Sequence, residues 1–115
     1  MRSPSKYYAK KVTHNGVTYD SKKECQRHTE LLLLERAGVI RDLRRQVKFE
    51  LIPSQKVAGK VVERACGYVA DFVYTKDGKT HVEDVKGYRG GGAYTVFTIK
   101  RKLMLYIHNI IVEEI

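Results

Sequence analysis

Two aspartates and a lysine are the residues of this chain most suited to chemistry. Asp71 lies in the apolar run Tyr68-Val69-Ala70-Asp71-Phe72-Val73-Tyr74, and twelve residues separate it from Asp84-Val85-Lys86. A carboxylate between such neighbours is costly to bury unless a cation or a hydrogen-bond network compensates it. Alternation along a strand 80–86 places Val82, Asp84 and Lys86 on one face and His81, Glu83 and Val85 on the other, which keeps Glu83 away from Asp84 and Lys86. In the preceding strand Asp71 is expected to share a face with Val69 and Val73, against Ala70, Phe72 and Tyr74. Two carboxylates bind a hard divalent ion such as magnesium, which keeps waters and accepts phosphate oxygens. The ion activates a bound water and neutralises charge, and a nearby ammonium orients the water or stabilises the phosphorane. The set therefore suits metal-assisted phosphodiester hydrolysis. A buried ion pair of Lys86 with Asp71 or Asp84 is the plainer reading of the same residues.

These side chains must be positioned by the elements around them. Lys76-Asp77-Gly78-Lys79 supplies a hairpin turn between the strands 68–74 and 80–86. Asn15-Gly16 does the same between Lys11–His14 and Val17–Tyr19. Ser21-Lys22-Lys23-Glu24 reads as a capping box, opening a helix that runs to about Ala37 and stops at Gly38. Its apolar face is either Cys25, His28, Leu32 and Glu35 or Leu31 and Leu34. Val47, Phe49 and Leu51 form a half-buried strand closed by Pro53, and a weaker strand broken by Gly59 spans 56–62. Gly87–Gly92 reads as a flexible loop. A second helix is expected from about Tyr94 to His108, with Val96, Ile99, Leu103, Tyr106 and Ile107 on one face, before a closing strand 110–115. The expected fold is a mixed α/β sandwich.

With 115 residues, the chain holds one compact domain, 11–115, behind a loose basic arm, 1–10. No apolar run approaches a membrane span; Leu31–Leu34 is only four residues long. The N-terminus lacks the apolar stretch of a secretory signal, and two distant cysteines, Cys25 and Cys66, favour a reducing intracellular setting over a disulfide scaffold or a cysteine zinc site. The net charge of +9, from 22 Lys/Arg and 13 Asp/Glu, points to a polyanionic partner. If Glu24, Asp71 and Asp84 face a metal, ten acids remain against 22 bases elsewhere, a surface that binds duplexes tightly at low salt.

Asp71 followed by Asp84-Val85-Lys86 resembles the PD-(D/E)xK nuclease core. Tyr19-Asp20-Ser21-Lys22-Lys23-Glu24, Gln46–Leu51, Tyr68–Phe72 and Val82–Gly87 together resemble a small phage and prophage family grouped with these nucleases and related to the TnsA-type transposon endonucleases. The likeness covers roughly residues 6–115, with Ala70 in place of the motif's proline. It implies a restriction-endonuclease-like sandwich, a central mixed sheet flanked by helices. It implies catalytic roles for Glu24, Gln46, Asp71, Asp84 and Lys86, with metal held by Glu24, Asp71, Asp84 and the Val85 backbone carbonyl. Glu24 is equally the acid of the capping box, and Gln46 at a strand start equally satisfies backbone groups.

The implied protein is a magnesium-dependent endodeoxyribonuclease, manganese substituting, from a phage or prophage and acting in the cytoplasm of a bacterial host. So small a core suits branched DNA or four-way junctions, as a Holliday junction resolvase does. Arg89, Lys100, Arg101 and Lys102 are the expected phosphate contacts, the three helix cations reading equally as a solvated face, and paired cuts would favour a homodimer. Two rivals stand beside this reading. One is a catalytically inactive nucleic-acid-binding protein, separable by metal titration. The other is an interaction protein acting on host or phage machinery, separable by whether DNA binding survives salt.

Overall fold

The structure, a computed structural model, describes residues 10–115; apart from Lys10, the basic arm lies outside them. The chain opens with β1 (Val12–His14) and β2 (Val17–Tyr19), an antiparallel hairpin whose Asn15 and Gly16 take the positive φ values that such a turn requires. Helix α1 (Lys22–Arg36) follows with Ser21 as its N-cap, and Gly38 beyond its end has a φ of 78°.

Next come β3 (Arg41–Ile52), β4 (Gln55–Val57), β5 (Lys60–Glu63), β6 (Cys66–Lys76) and β7 (Lys79–Asp84). Helix α2 (Gly91–His108) and β8 (Val112–Glu114) complete the chain. Four strands form a mixed central sheet in the order β3-β6-β7-β8, antiparallel except for the β7–β8 pair. The sheet carries a core on each face. Leu31 of α1 packs with Ile40, Phe72 and Tyr74 on one side; Phe97 and Met104 of α2 pack with Tyr68, Val73 and Val82 on the other. The architecture is mixed α/β with two helices on opposite faces of one sheet.

Four local expectations need correction. Strand β3 begins six residues before Val47, because the charged stretch Arg41–Arg45 pairs with β6 across a bulge at Asp42 and so carries no simple alternation. The stretch 56–62 is not one strand but a hairpin, with Ala58 and Gly59 at positive φ in its turn. Helix α2 starts three residues earlier than Tyr94, taking Gly91 and Gly92 into its first turn; Gly90 is its N-cap, where a Cβ would meet the Tyr88 hydroxyl at 2.6 Å. The face of α2 turned to the sheet is that of Phe97 and Met104, whereas Val96, Ile99 and Tyr106 are exposed. That helix is apolar on most of its circumference, so periodicity admits more than one stripe. In α1, by contrast, the alternative of Leu31 and Leu34 is the one that packs.

Candidate active site

Asp71 owes its position to a disturbance shared by two strands. Val47 and Ala70 are partners in the β3–β6 ladder, as are Arg45 and Phe72, so Gln46 lies across from Asp71. Ala70 belongs to the core under α2, while Phe72 belongs to the core under α1. Strict alternation would place these two on one face. Both strands therefore exchange faces at the Gln46–Asp71 rung, and Gln46 accommodates the exchange with a φ of 52°. This corrects the expected grouping of Asp71 with Val73 against Ala70 and Phe72. Asp71 stands at the slip, between the two layers, instead of pointing squarely into either core.

Its neighbours arrive from three more places. Asp84 ends β7 and is buried; its Oδ2 accepts from the Tyr68 hydroxyl at 2.6 Å, and its Oδ1 lies 2.8 Å from Lys86 Nζ. The Lys86 ammonium also sits 3.6 Å from the centre of the Phe97 ring. Lys23 Nζ donates to the Lys86 carbonyl at 2.8 Å, tying α1 to this turn. Glu24, in the first turn of α1, is 3% exposed. Its backbone N–H donates to Ser21 Oγ, and its Oε1 accepts from the Asp20 amide at 2.9 Å, one residue beyond a strict capping box. Its Oε2 accepts from Gln46 Nε2 at 3.1 Å, and the same amide nitrogen donates to Asp71 Oδ1 at 3.2 Å. Glu24 thus serves the cap and the site at once.

A cleft of about 300 Å³ takes in Glu24, Gln46, Asp71, Asp84 and Lys86, with Asp20, Ser21, Val69 and Val85 in its wall. Val85 contributes its amide, which donates to Asp71 Oδ2 at 2.8 Å. Burial pushes the Asp71 carboxyl up to about 7, with Asp84 and Glu24 adding to the shift and the Val85 amide opposing it. Burial, and then the bond to Asp84, likewise raises the Tyr68 phenol. The oxygen donors are of the kind a hard divalent ion takes. Among the described residues, however, no three acidic, histidine or cysteine side chains lie close enough to form a ready metal-ligand group. The Gln46 amide stands between Glu24 and Asp71, and the Lys86 ammonium occupies one edge of Asp84.

Glu83 is kept out of the cleft, as alternation requires. It is fully buried on the α1 face, where Arg27 grips both its oxygens at 2.7 and 2.6 Å and the Tyr74 hydroxyl donates to it.

The expected phosphate contacts divide. Arg89 and Arg101 both meet Glu114, at 3.4 and 2.9 Å, and Tyr94 donates to the same carboxylate at 2.7 Å. Glu114 pairs with Asp84 in the β7–β8 ladder, so this cluster borders the cleft. Lys102 is exposed and Lys100 half-buried.

Sequence reasoning missed Tyr68, Arg45 and Glu114. Arg45 lies over the Tyr19 ring and 4.0 Å from Glu24 Oε1; its buried Nε is without a hydrogen bond among the described residues. Adjacency to Gln46 was the one signal for Arg45; Tyr68 and Glu114 gave none, since their partners are set by pairing across the sheet.

The chain belongs to the DUF1064 family, described as a protein of unknown function, whose defining pattern matches residues 4–112. No curated protein and no solved structure matches it. No helix of the described residues is long and apolar enough to cross a membrane.

Proposed function

We propose that this protein is a metal-dependent DNA endonuclease of the PD-(D/E)xK type, encoded by a phage or prophage and acting on branched DNA in the cytoplasm of a bacterial host. One observation carries the reading: Glu24, Gln46, Asp71, Asp84 and Lys86 come from separate parts of the chain and line a single cleft. Four carboxylates (Asp20 with Glu24, Asp71 and Asp84), an amide and an ammonium share its lining of about 300 Å³, the kind of charge cluster found at reactive sites. The net charge of +9 supplies the attraction for a polyanion.

Glu24, Asp71 and Asp84 would hold magnesium, or manganese in its place, by exchanging the Gln46 and Lys86 contacts for the ion. Bound there, the ion would supply Lewis acidity to the attacking water and the phosphate. Lys86, resting on the Phe97 ring and released from Asp84 by the ion, would be placed to orient that water or to offset phosphate charge. Before the ion enters, Gln46 keeps Glu24 and Asp71 facing one another. Lys100 and Lys102 offer phosphate contacts, whereas Arg89 and Arg101 must first leave Glu114.

A non-catalytic nucleic-acid-binding protein is the second reading. It is favoured by the engaged state of Asp84 and by the absence of a ready metal-ligand group among the described residues. Incubation with linear, nicked, flapped and four-way DNA, with magnesium or with EDTA, separates the two. Magnesium-dependent cuts at junctions or flaps support the nuclease; binding without cuts, indifferent to EDTA, supports the second reading.

A further inference from the structure

The chain that joins the strands carrying Gln46 and Asp71 folds into a hairpin of its own. Beyond Ile52 and before Cys66, β4 and β5 form a separate two-stranded sheet around Ala58 and Gly59. Every residue from 52 to 65 is exposed. A lone hairpin is marginal in water, and this one leaves Val57, Val61 and Val62 each more than half exposed. Lys56, Lys60 and Arg64 face one acid, Glu63, in the same segment.

Register decides what kind of surface this is. Lys56 lies across from Val61, and Val57 across from Lys60, so a cation and an aliphatic share each face of the ribbon. A protein-binding surface gathers its apolar residues at the centre and its charges at the rim. Interleaving on both faces suits an anionic groove with two walls: ammonium groups reach phosphates, and methyl groups meet sugars and thymine methyls. A two-stranded ribbon also fits the roughly 12 Å width of a B-DNA major groove.

Lys48 and Val69, partners in the β3–β6 ladder, are exposed between the Gln46–Asp71 rung and the hairpin, so a cation also stands on the way to the cleft, with Glu50 as an exposed acid beside it. Lys60 is eleven residues from Asp71. At roughly 3.3 Å per residue the span is at most about 36 Å, close to one turn of B-DNA at ~34 Å.

We propose that the hairpin 55–63 is an arm that enters the major groove of duplex DNA within about one turn of the cleft. The inference rests on DNA being the partner of the cleft. It makes the enzyme selective for branch points flanked by duplex on the arm side.

The test compares K56E/K60E with K76E/K79E, an equal charge change at the exposed opposite turn of the sheet. Labelled duplexes of about 12 and about 36 base pairs are titrated in EDTA over a salt series. K56E/K60E is expected to weaken binding to the longer duplex about tenfold or more, flattening its salt slope by about two, with a smaller loss on the shorter one. K76E/K79E should stay within about twofold of wild type on both. Equal losses in the two variants, or none in K56E/K60E, overturn the arm while leaving the nuclease reading intact. A wild type that binds neither duplex also overturns the arm, while cleavage of flapped and four-way DNA decides the nuclease reading separately. Sedimentation of V57S/V61S covers the remaining case: a wild-type dimer that this variant splits, with DNA affinity unchanged, makes the hairpin a self-association element and overturns the arm.

Discussion

Lys86 holds its ammonium 2.8 Å from Asp84 Oδ1, with the Phe97 ring on its other side. The side chain is thereby ordered before any substrate arrives. Asp84 is buried, so K86A leaves a carboxylate with the Tyr68 hydroxyl as its remaining strong donor. Stability without metal should fall by about 3–5 kcal/mol. Magnesium should restore much of that loss, because a cation beside Asp84 replaces the missing ammonium, and cleavage should stay abolished. Thermal melts of K86A with and without magnesium check this; a melt indifferent to magnesium means that Asp84 faces no cation site.

Asp71 is the opposite case. Its charge is opposed by burial and by Asp84 and Glu24. D71N removes that repulsion while keeping a side chain of the same shape. The metal-free variant should melt at or above the wild-type temperature. DNA affinity should hold or rise, since a negative charge facing phosphate has gone, and magnesium-dependent cleavage should vanish. A destabilised D71N would show that Asp71 serves the fold through its bonds from the Val85 amide and Gln46.

Arg27 and Glu83 supply the contrast between structural and chemical charges. R27A strands a Glu83 that is 1% exposed, at a cost of about 3–5 kcal/mol, whereas R27M/E83L should recover most of it. Urea denaturation measures both. Cleavage by the folded fraction of R27M/E83L should match wild type, because the pair lies on the α1 face.

His28 sets an acid limit. Burial first, and then the Arg45 charge, holds its imidazole below the ordinary value of 6.5, while Glu24 and Glu35 pull the other way; Tyr19 bonds to its Nδ1 at 2.6 Å. A depressed folded value means that the stability is complete above pH 6.5 and is lost as pH falls through the folded value. H28Q should therefore lose less stability than wild type between pH 7 and 5, read from melts at several pH values. Parallel curves for the two proteins would count against it.

The sequence carried the parts of this fold that local chemistry decides. Asn15-Gly16, the Ser21 cap and Asp77-Gly78 each mark a turn or helix start where the structure has one. It also brought Asp71, Asp84 and Lys86 to one place through hairpin pairing. What it concealed was the slip. Tyr68, Ala70, Phe72 and Tyr74 are all apolar at even positions, so nothing in the run reports that Ala70 and Phe72 belong to different cores. Arg41–Arg45 was equally opaque, because charged residues on a bulged edge strand show no period. Glu114 could be placed beside Asp84 only once β8 was paired in parallel with β7.

The exchange of faces at Gln46 and Asp71 also has a consequence for assembly of the sheet. Two uniformly alternating strands can slide by two residues and keep every side chain on its own face. Here the sliding is blocked, because the break in β3 and the break in β6 must meet at the same rung. A shift by two would set Gln46 against a uniformly alternating stretch and turn core residues of one strand toward the wrong helix. The rung that presents Asp71 to the cleft is thus also the lock that fixes how the longest pair of strands aligns.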